Sequence, residues 1–323
     1  MTVLVTGAAG FIGSHVSRAL LAAGRPVLGV DNLNAYYDPA LKRARLAELE
    51  DLDGFRFVPL ELSDAGAVTD FFRQHGEIEK VLHLAAQAGV RYSLTHPFSY
   101  VDANVTGHLA ILEGLRALPA PVPLVYASSS SVYGANERQP FSEGDRVDSP
   151  ISVYAATKRA GELLSETYGR LFGLQQTGLR FFTVYGPWGR PDMAYWGFAE
   201  KILTGQPIEL FNKGDMARDF TYIDDVVGAV VAALDQPPAP GAAQRIYNIG
   251  NSRPEPLRRF LEVLEQHCGR PAEIVEKPMQ PGEVKETYAD ISAARRDLGY
   301  DPATGIDEGL GRFVAWFRRW RGL

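Results

Sequence analysis

The 323-residue chain reads as an α/β protein built on a doubly wound parallel sheet. Two observations predict this class. Short apolar runs rich in β-branched residues alternate with amphipathic helical stretches through the first half, as expected of strands covered on both faces by crossover helices. A glycine-rich turn, Gly7-Ala8-Ala9-Gly10-Phe11-Ile12-Gly13, directly follows the first of those runs. A third observation, the loss of regular alternation beyond residue 179, predicts a smaller and irregular α/β unit in the second half.

Taken in order, strands are expected at residues 3–6, 26–30, 56–59, 80–84 and 124–127. Helices are expected at 11–23, stopped by Gly24, and at 67–74, after Ser63 and the N-cap candidate Asp64. Two more are expected at 104–117, where Val105, Leu109, Leu112 and Leu115 share a face, and at 151–172. Parallel strands linked this way need right-handed crossovers, which is the Rossmann arrangement. A helix at 224–234 and a strand at 245–249 are expected to return to the main sheet. The division is therefore 1–179, together with 224–250, for the first unit and mainly 180–323 for the second. The stretch 237–241 reads as a surface loop. Trp316, Phe317 and Trp320 mark a packed amphipathic helix, with Arg318, Arg319 and Arg321 in solvent.

The bulk numbers narrow the function classes. A formal net charge of -6 argues against nucleic acid as a partner. Cys268 is the single cysteine, so no intrachain disulfide and no cysteine metal cluster is expected, and a reducing cytoplasmic setting fits. No secretory signal pattern is expected from the N-terminal residues, and no apolar run approaches the ~20 residues of a membrane helix. His15, His83 and His108 lack metal-ligand spacing, and His83 reads as a packed residue.

Gly7, Gly10 and Gly13 sit between a strand end and a helix start. Glycine there permits a tight turn, close approach of the backbone to a pyrophosphate, and close packing of helix on strand. The spacing differs by one residue from the usual dinucleotide pattern. Asp31 ends the second strand, where a carboxylate accepts hydrogen bonds from the adenosine ribose. A 2′-phosphate would meet like charge there, which favours NAD over NADP. Asp64 reads equally well as an adenine contact or as the helix cap.

Tyr154 and Lys158 lie four apart on a predicted helix and share its face. A free phenol titrates near 10, and a nearby ammonium together with a positive nicotinamide ring favours the phenolate. Such a phenolate takes a proton from a sugar hydroxyl while the nicotinamide takes hydride from the same carbon. A serine hydroxyl shares the hydrogen bond, with Ser129 the first candidate and Ser131 the second. The run Ser128-Ser129-Ser130-Ser131 sits at the end of the fifth expected strand.

With these residues in view, the chain resembles an extended short-chain dehydrogenase/reductase of the nucleotide-sugar epimerase/dehydratase family. The resemblance runs through Thr6 to Gly13, His83-Leu84-Ala85-Ala86, Asn104, Ser129 to Gly134, Tyr154 with Lys158, Arg218-Asp219-Phe220 and Tyr247-Asn248-Ile249-Gly250. Within that family it is most similar to the UDP-glucuronate 4-epimerases, on Gln87 to Ser93, Arg180 to Ala194 and Asp219 to Asp225. The resemblance implies interconversion of UDP-glucuronate and UDP-galacturonate through a transient 4-keto sugar with NAD bound. It implies that Phe11, Ile12, Asn32, Leu84, Ala85 and Ala86 join the glycines, Asp31, Tyr154 and Lys158 around NAD. It implies that Arg91, Ser129, Ser130, Ser131, Thr183, Arg190, Phe211, Arg218 and Asp290 contact the UDP-sugar. Thr183 and Arg190 would restrain the substrate carboxylate, Arg190 as a bidentate fork. That restraint matters because a 4-keto uronic acid is a β-keto acid and loses carbon dioxide readily. Arg218 would clamp the pyrophosphate, helped by Lys213 or Arg253.

Similar proteins also imply a homodimer built on a helix bundle, with Phe98, Tyr100, Leu109 and Leu112 as candidates; packing within one chain explains these residues nearly as well. The alternatives in another class are a UDP-glucuronate decarboxylase or a sugar dehydratase, beside a UDP-glucose 4-epimerase-like enzyme. Related decarboxylases and dehydratases carry an acid in the strand end that is serine only here, which weighs against them. A nucleotide-sensing protein without catalysis would need neither Ser129 nor Tyr154 nor Lys158.

Overall fold

The computed structural model describes residues 2–278 and 285–323. The twelve strands among them are β1 (Thr2–Thr6), β2 (Val27–Asp31), β3 (Phe55–Pro59), β4 (Ile78–His83), β5 (Leu124–Ser129), β6 (Gln176–Phe181), β7 (Thr183–Tyr185), β8 (Ile208–Phe211), β9 (Ala217–Tyr222), β10 (Arg245–Ile249), β11 (Pro254–Pro256) and β12 (Ile274–Lys277). The helices are α1 (Phe11–Ala22), α2 (Pro39–Glu50), α3 (Ala65–Gln74), α4 (Pro97–Val101), α5 (Gly107–Arg116), α6 (Val153–Phe172), α7 (Ala194–Thr204), α8 (Ile223–Asp235), α9 (Leu257–Cys268), α10 (Ser292–Leu298) and α11 (Ile306–Arg321).

Seven strands form one parallel sheet in the order β10-β6-β5-β4-β1-β2-β3. The order reverses between β1 and β4, and a crevice opens at such a switch point beyond the carboxyl ends of the strands. Successive residues of β1 face opposite layers. Val3 and Val5 join the apolar cluster that includes α1 and α8 residues, while Leu4 joins the one filled by Val68, Phe71 and Phe72 of α3 and Leu112 and Leu115 of α5. Continuous burial along β2 and β6 reflects this double covering.

The expected strands appear within two residues of their predicted ends, and β10 pairs in parallel with β6. Two elements of the sheet layer went unread in the sequence. β6 is a strand through Phe181, so the sheet crosses the border expected at 179. Helix α2 starts at Asp38, whose side chain accepts the Ala40 N–H, with Pro39 at the first helical position. The helix expected at 104–117 begins earlier, at Pro97, and passes through a π-turn at Asp102–Thr106. Two small sheets, β11-β9-β7 and β12-β8, lie beyond the main sheet, with α7, α9 and α11 packed together beside them. No helix among the described residues is long and apolar enough to cross a membrane.

Candidate active site

The turn after β1 is shaped by its glycines. Gly7 has a left-handed φ of +71°, its carbonyl accepts the Gly10 N–H at 2.8 Å, and a Cβ on Gly13 would overlap that same carbonyl. A Cβ on Gly7 would press on the Ala85 backbone at 2.8 Å, so β1, α1 and the loop after β4 meet here without side chains between them. The result is a bare backbone cradle at a helix N-terminus, which suits a pyrophosphate. Asp31 is 8% exposed at the end of β2 and accepts the Leu33 N–H at 2.8 Å. These residues fit NAD: the glycine turn would hold its pyrophosphate and Asp31 its ribose. Gly13→Ala is expected to lower the NAD content of the purified protein at least about tenfold, because the added carbon collides with backbone rather than with a flexible side chain. Nucleotide released by denaturation and quantified by chromatography would measure it, and normal content would overturn this reading of the turn.

A cavity of about 1120 Å³ runs from this cradle across the strand ends to residues of α7, β8 and β9. It is large enough for a dinucleotide and a second nucleotide together. Of the predicted residues, it brings together Gly7, Gly10, Phe11, Ile12, Gly13, Asp31, Asn32, Leu84, Ala85, Ala86, Arg91, Ser129, Ser130, Ser131, Tyr154, Lys158, Thr183, Arg190, Phe211 and Arg218. Asp64 is outside it: its carboxylate caps α3 by accepting the Ala67 N–H, and Glu61 and Leu62 line that end instead. Asp290 is also outside, accepting the Ser292 N–H in a local turn while its own N–H bonds the Phe141 carbonyl. Lys213 and Arg253 do not reach the lining either.

Helix α6 presents Tyr154 and Lys158 to the cavity, started by the Ser152 hydroxyl, which accepts the Ala155 N–H. The Lys158 ammonium donates to the Ala127 carbonyl on β5 at 2.9 Å. Burial, with Arg190 nearby, pushes its pKa down to about 8. Burial pushes the Tyr154 phenol up, while the Ser129 hydroxyl and the Arg190 charge pull it back and Asp192 pushes it further up. The π-turn has a role in this assembly. Asn104 accepts the Gln87 N–H and donates to the Gln87 carbonyl and to the Thr157 hydroxyl, tying the loop after β4 to α6.

Arg190 differs from expectation in one respect. Its Nε and Nη2 donate to the Asp192 carboxylate at 3.1 and 2.7 Å, so that edge of the guanidinium is engaged by a carboxylate rather than left as an open fork. Tyr36, from the loop after β2, donates to the same carboxylate at 3.2 Å. Arg91 lies over the Phe211 ring at 5.1 Å, and Arg218 bonds the carbonyls of Ala217 and Lys285. Sequence reasoning missed Tyr36, Lys42, Tyr92, Asp192, Phe198 and Lys201 as lining residues. The Asp38-Pro39 helix start was the available signal for the segment that carries Tyr36 and Lys42.

Fold and cavity together define the class: an NAD-dependent enzyme with the short-chain dehydrogenase/reductase architecture. The profile of the NAD dependent epimerase/dehydratase family matches residues 3–250, and the chain belongs to that family. It is 48% identical to UDP-glucuronate 4-epimerase 1 of Arabidopsis thaliana, over all of this chain and 78% of that protein. It superposes on the UDP-glucuronic acid 4-epimerase of Bacillus cereus, solved with UDP-glucuronic acid and NAD, with a TM-score of 0.92 and 35% identity over 99% of this chain and 100% of that one. The UDP-glucose 4-epimerase of Thermotoga maritima, solved with UDP-glucose, gives a TM-score of 0.88 and 32% identity over 99% and 100%.

Proposed function

We propose that the protein is a UDP-glucuronate 4-epimerase that interconverts UDP-glucuronate and UDP-galacturonate. The observation that carries the choice of sugar is Arg190, a permanent cation that lines the same cavity as Tyr154. Relatives of this similarity that act on UDP-glucuronate support the same choice.

The residues then divide the work. When bound, NAD supplies a reversible two-electron oxidant at carbon 4 of the sugar. Tyr154 takes the proton from the carbon 4 hydroxyl and returns it to the same oxygen after the keto sugar has turned to present its opposite face. Ser129 bonds the same oxygen and orients it, with Ser131 two residues on. Lys158, held by Ala127, contributes positive charge beside the cofactor site. Arg91, Phe211 and Arg218 hold the UDP portion at the far side of the cavity. Thr183 and Arg190 restrain the carboxylate, so that its bond to carbon 5 stays out of line with the carbonyl π-system. The lining segment Ser128 to Ser131 offers no acid to assist chemistry at carbon 5.

The test is incubation with UDP-glucuronate and no added cofactor, followed by proton NMR. UDP-galacturonate is the expected product. A pentose with released carbon dioxide would make the protein a decarboxylase, and turnover of UDP-glucose alone would overturn the carboxylate pocket. Arg190→His is expected to divert at least about a tenth of turnover to the decarboxylated keto sugar, since a weaker cation restrains the carboxylate less. An unchanged product ratio would remove Arg190 from that role.

The working form is a homodimer in the cytoplasm. Phe98 is 80% and Leu94 58% exposed, and Val101 of α4 with Leu163 and Leu171 of α6 are also exposed. Apolar residues clustered on neighbouring helices support a helix-bundle contact with a second copy. Of the residues first considered for it, Tyr100 and Leu112 are buried within the chain. A buried, unpaired Cys268 thiol fits a reducing compartment.

A further inference from the structure

Arg45 on α2 is 1% exposed, and the groups that receive its hydrogen bonds are uncharged. Its Nη1 donates to the Ala9 carbonyl in the glycine-rich turn at 3.0 Å and to the Tyr37 hydroxyl at 2.8 Å. Its Nε and Nη2 donate to the Trp188 carbonyl at 3.1 and 2.7 Å, and Nη2 also donates to the Gly189 carbonyl at 2.8 Å. One guanidinium therefore joins the cofactor turn to the backbone just before Arg190.

That backbone needs holding. Trp188 has a left-handed φ of +58°, a conformation costly for a bulky side chain and retained only where its surroundings enforce it. The same segment of chain grips Arg190 a second time, since Tyr36 bonds Asp192 and Asp192 bonds Arg190. The segment begins at the ribose end of the cofactor site, where Lys42 lies 3.9 Å from Asp31 and donates to Asn34. Burying a cation without an anion is expensive, so a side chain kept this way has work that an apolar residue could not do.

We propose that Arg45 is a positioning residue that locks the Arg190 loop against the NAD turn and thereby sets the preference for an acidic sugar. The proposal rests on the UDP-glucuronate reading above. Arg45 touches neither substrate nor reacting atoms. It acts through the carbonyls of Trp188 and Gly189, which fix where the Arg190 guanidinium points.

The test uses binding rather than turnover. In a Tyr154→Phe background, UDP-glucuronate and UDP-glucose are titrated calorimetrically against the NAD-loaded protein, with and without Arg45→Lys. Arg45→Gln, which keeps two donors but no charge, serves if the lysine variant does not fold. Affinity for UDP-glucuronate is expected to fall about tenfold, with UDP-glucose affinity held within about twofold and NAD content retained. A parallel fall for both ligands would reduce Arg45 to a purely structural role, and no change for either would remove it altogether. A parent protein that binds UDP-glucuronate no better than UDP-glucose would instead overturn the uronate reading, before any Arg45 variant is compared.

Discussion

Tyr154→Phe is expected to lower turnover of UDP-glucuronate by about a thousandfold or more, because it removes the proton carrier while leaving the ring in place. The ring packs edge-on to Tyr100 at 6.0 Å, and that contact survives the loss of an oxygen. NAD is expected to remain bound, since the glycine turn and Asp31 are untouched. The two readouts separate the roles. Lost turnover with full NAD content assigns Tyr154 to proton transfer. Loss of NAD would place it in cofactor binding, and retained turnover would sink its catalytic role. Burial pushes the phenol up, against the needs of a base at neutral pH, so Ser129 and Arg190 matter to its function. Both face the same cavity as Tyr154.

Arg180→Leu is expected to cost about 3 kcal/mol of stability, since it strands a buried carboxylate. Arg180 donates to Glu162 through Nε at 2.8 Å and Nη2 at 2.9 Å, and Glu162 is fully buried one turn beyond Lys158 on α6. Burial opposes the Glu162 charge, but Arg180 and the Ser128 hydroxyl hold its pKa below the usual value. Arg180 also donates to the Tyr133 hydroxyl, linking β6 to the segment after β5. Arg159 stays with Glu162 at 3.0 Å, which keeps the loss near the lower end of the range for broken buried pairs. Thermal unfolding would measure it. The double variant Arg180→Leu/Glu162→Leu should recover most of the loss, because neither charge is then buried alone. A double variant no more stable than the single one would show that packing, not the stranded charge, was responsible.

The two predictions mark how far reading along the chain reaches. Tyr154, Lys158 and the glycine turn were legible because each depends on spacing within one element. Four residues make one turn of helix, and a left-handed turn needs glycine wherever it falls. Asp64 was legible as a cap, and its carboxylate does accept the Ala67 N–H at the start of α3. Asp290 and Lys213 lie outside the cavity lining, among short segments whose positions no local period encodes. Arg180 lay inside a segment singled out by resemblance, yet its partner Glu162 is 18 residues away and gave no sign.

The sequence by itself determined the doubly wound sheet, the dinucleotide turn, the Tyr154–Lys158 face and the membership of an epimerase-type family. The first three follow from backbone sterics and from the periods of strand and helix, which act over a few residues, and the last rests on the motifs that carry the resemblance. Only the tertiary structure decided that Asp192 occupies one side of Arg190, that Asn104 ties Gln87 to Thr157, and that Arg45 joins Ala9 to Trp188, itself 143 positions further along the chain than Arg45. Those contacts lie between loops that meet only once the sheet has brought its strand ends together. A buried guanidinium or amide bonds whatever carbonyl the packed loops present, and carbonyls are alike in every residue.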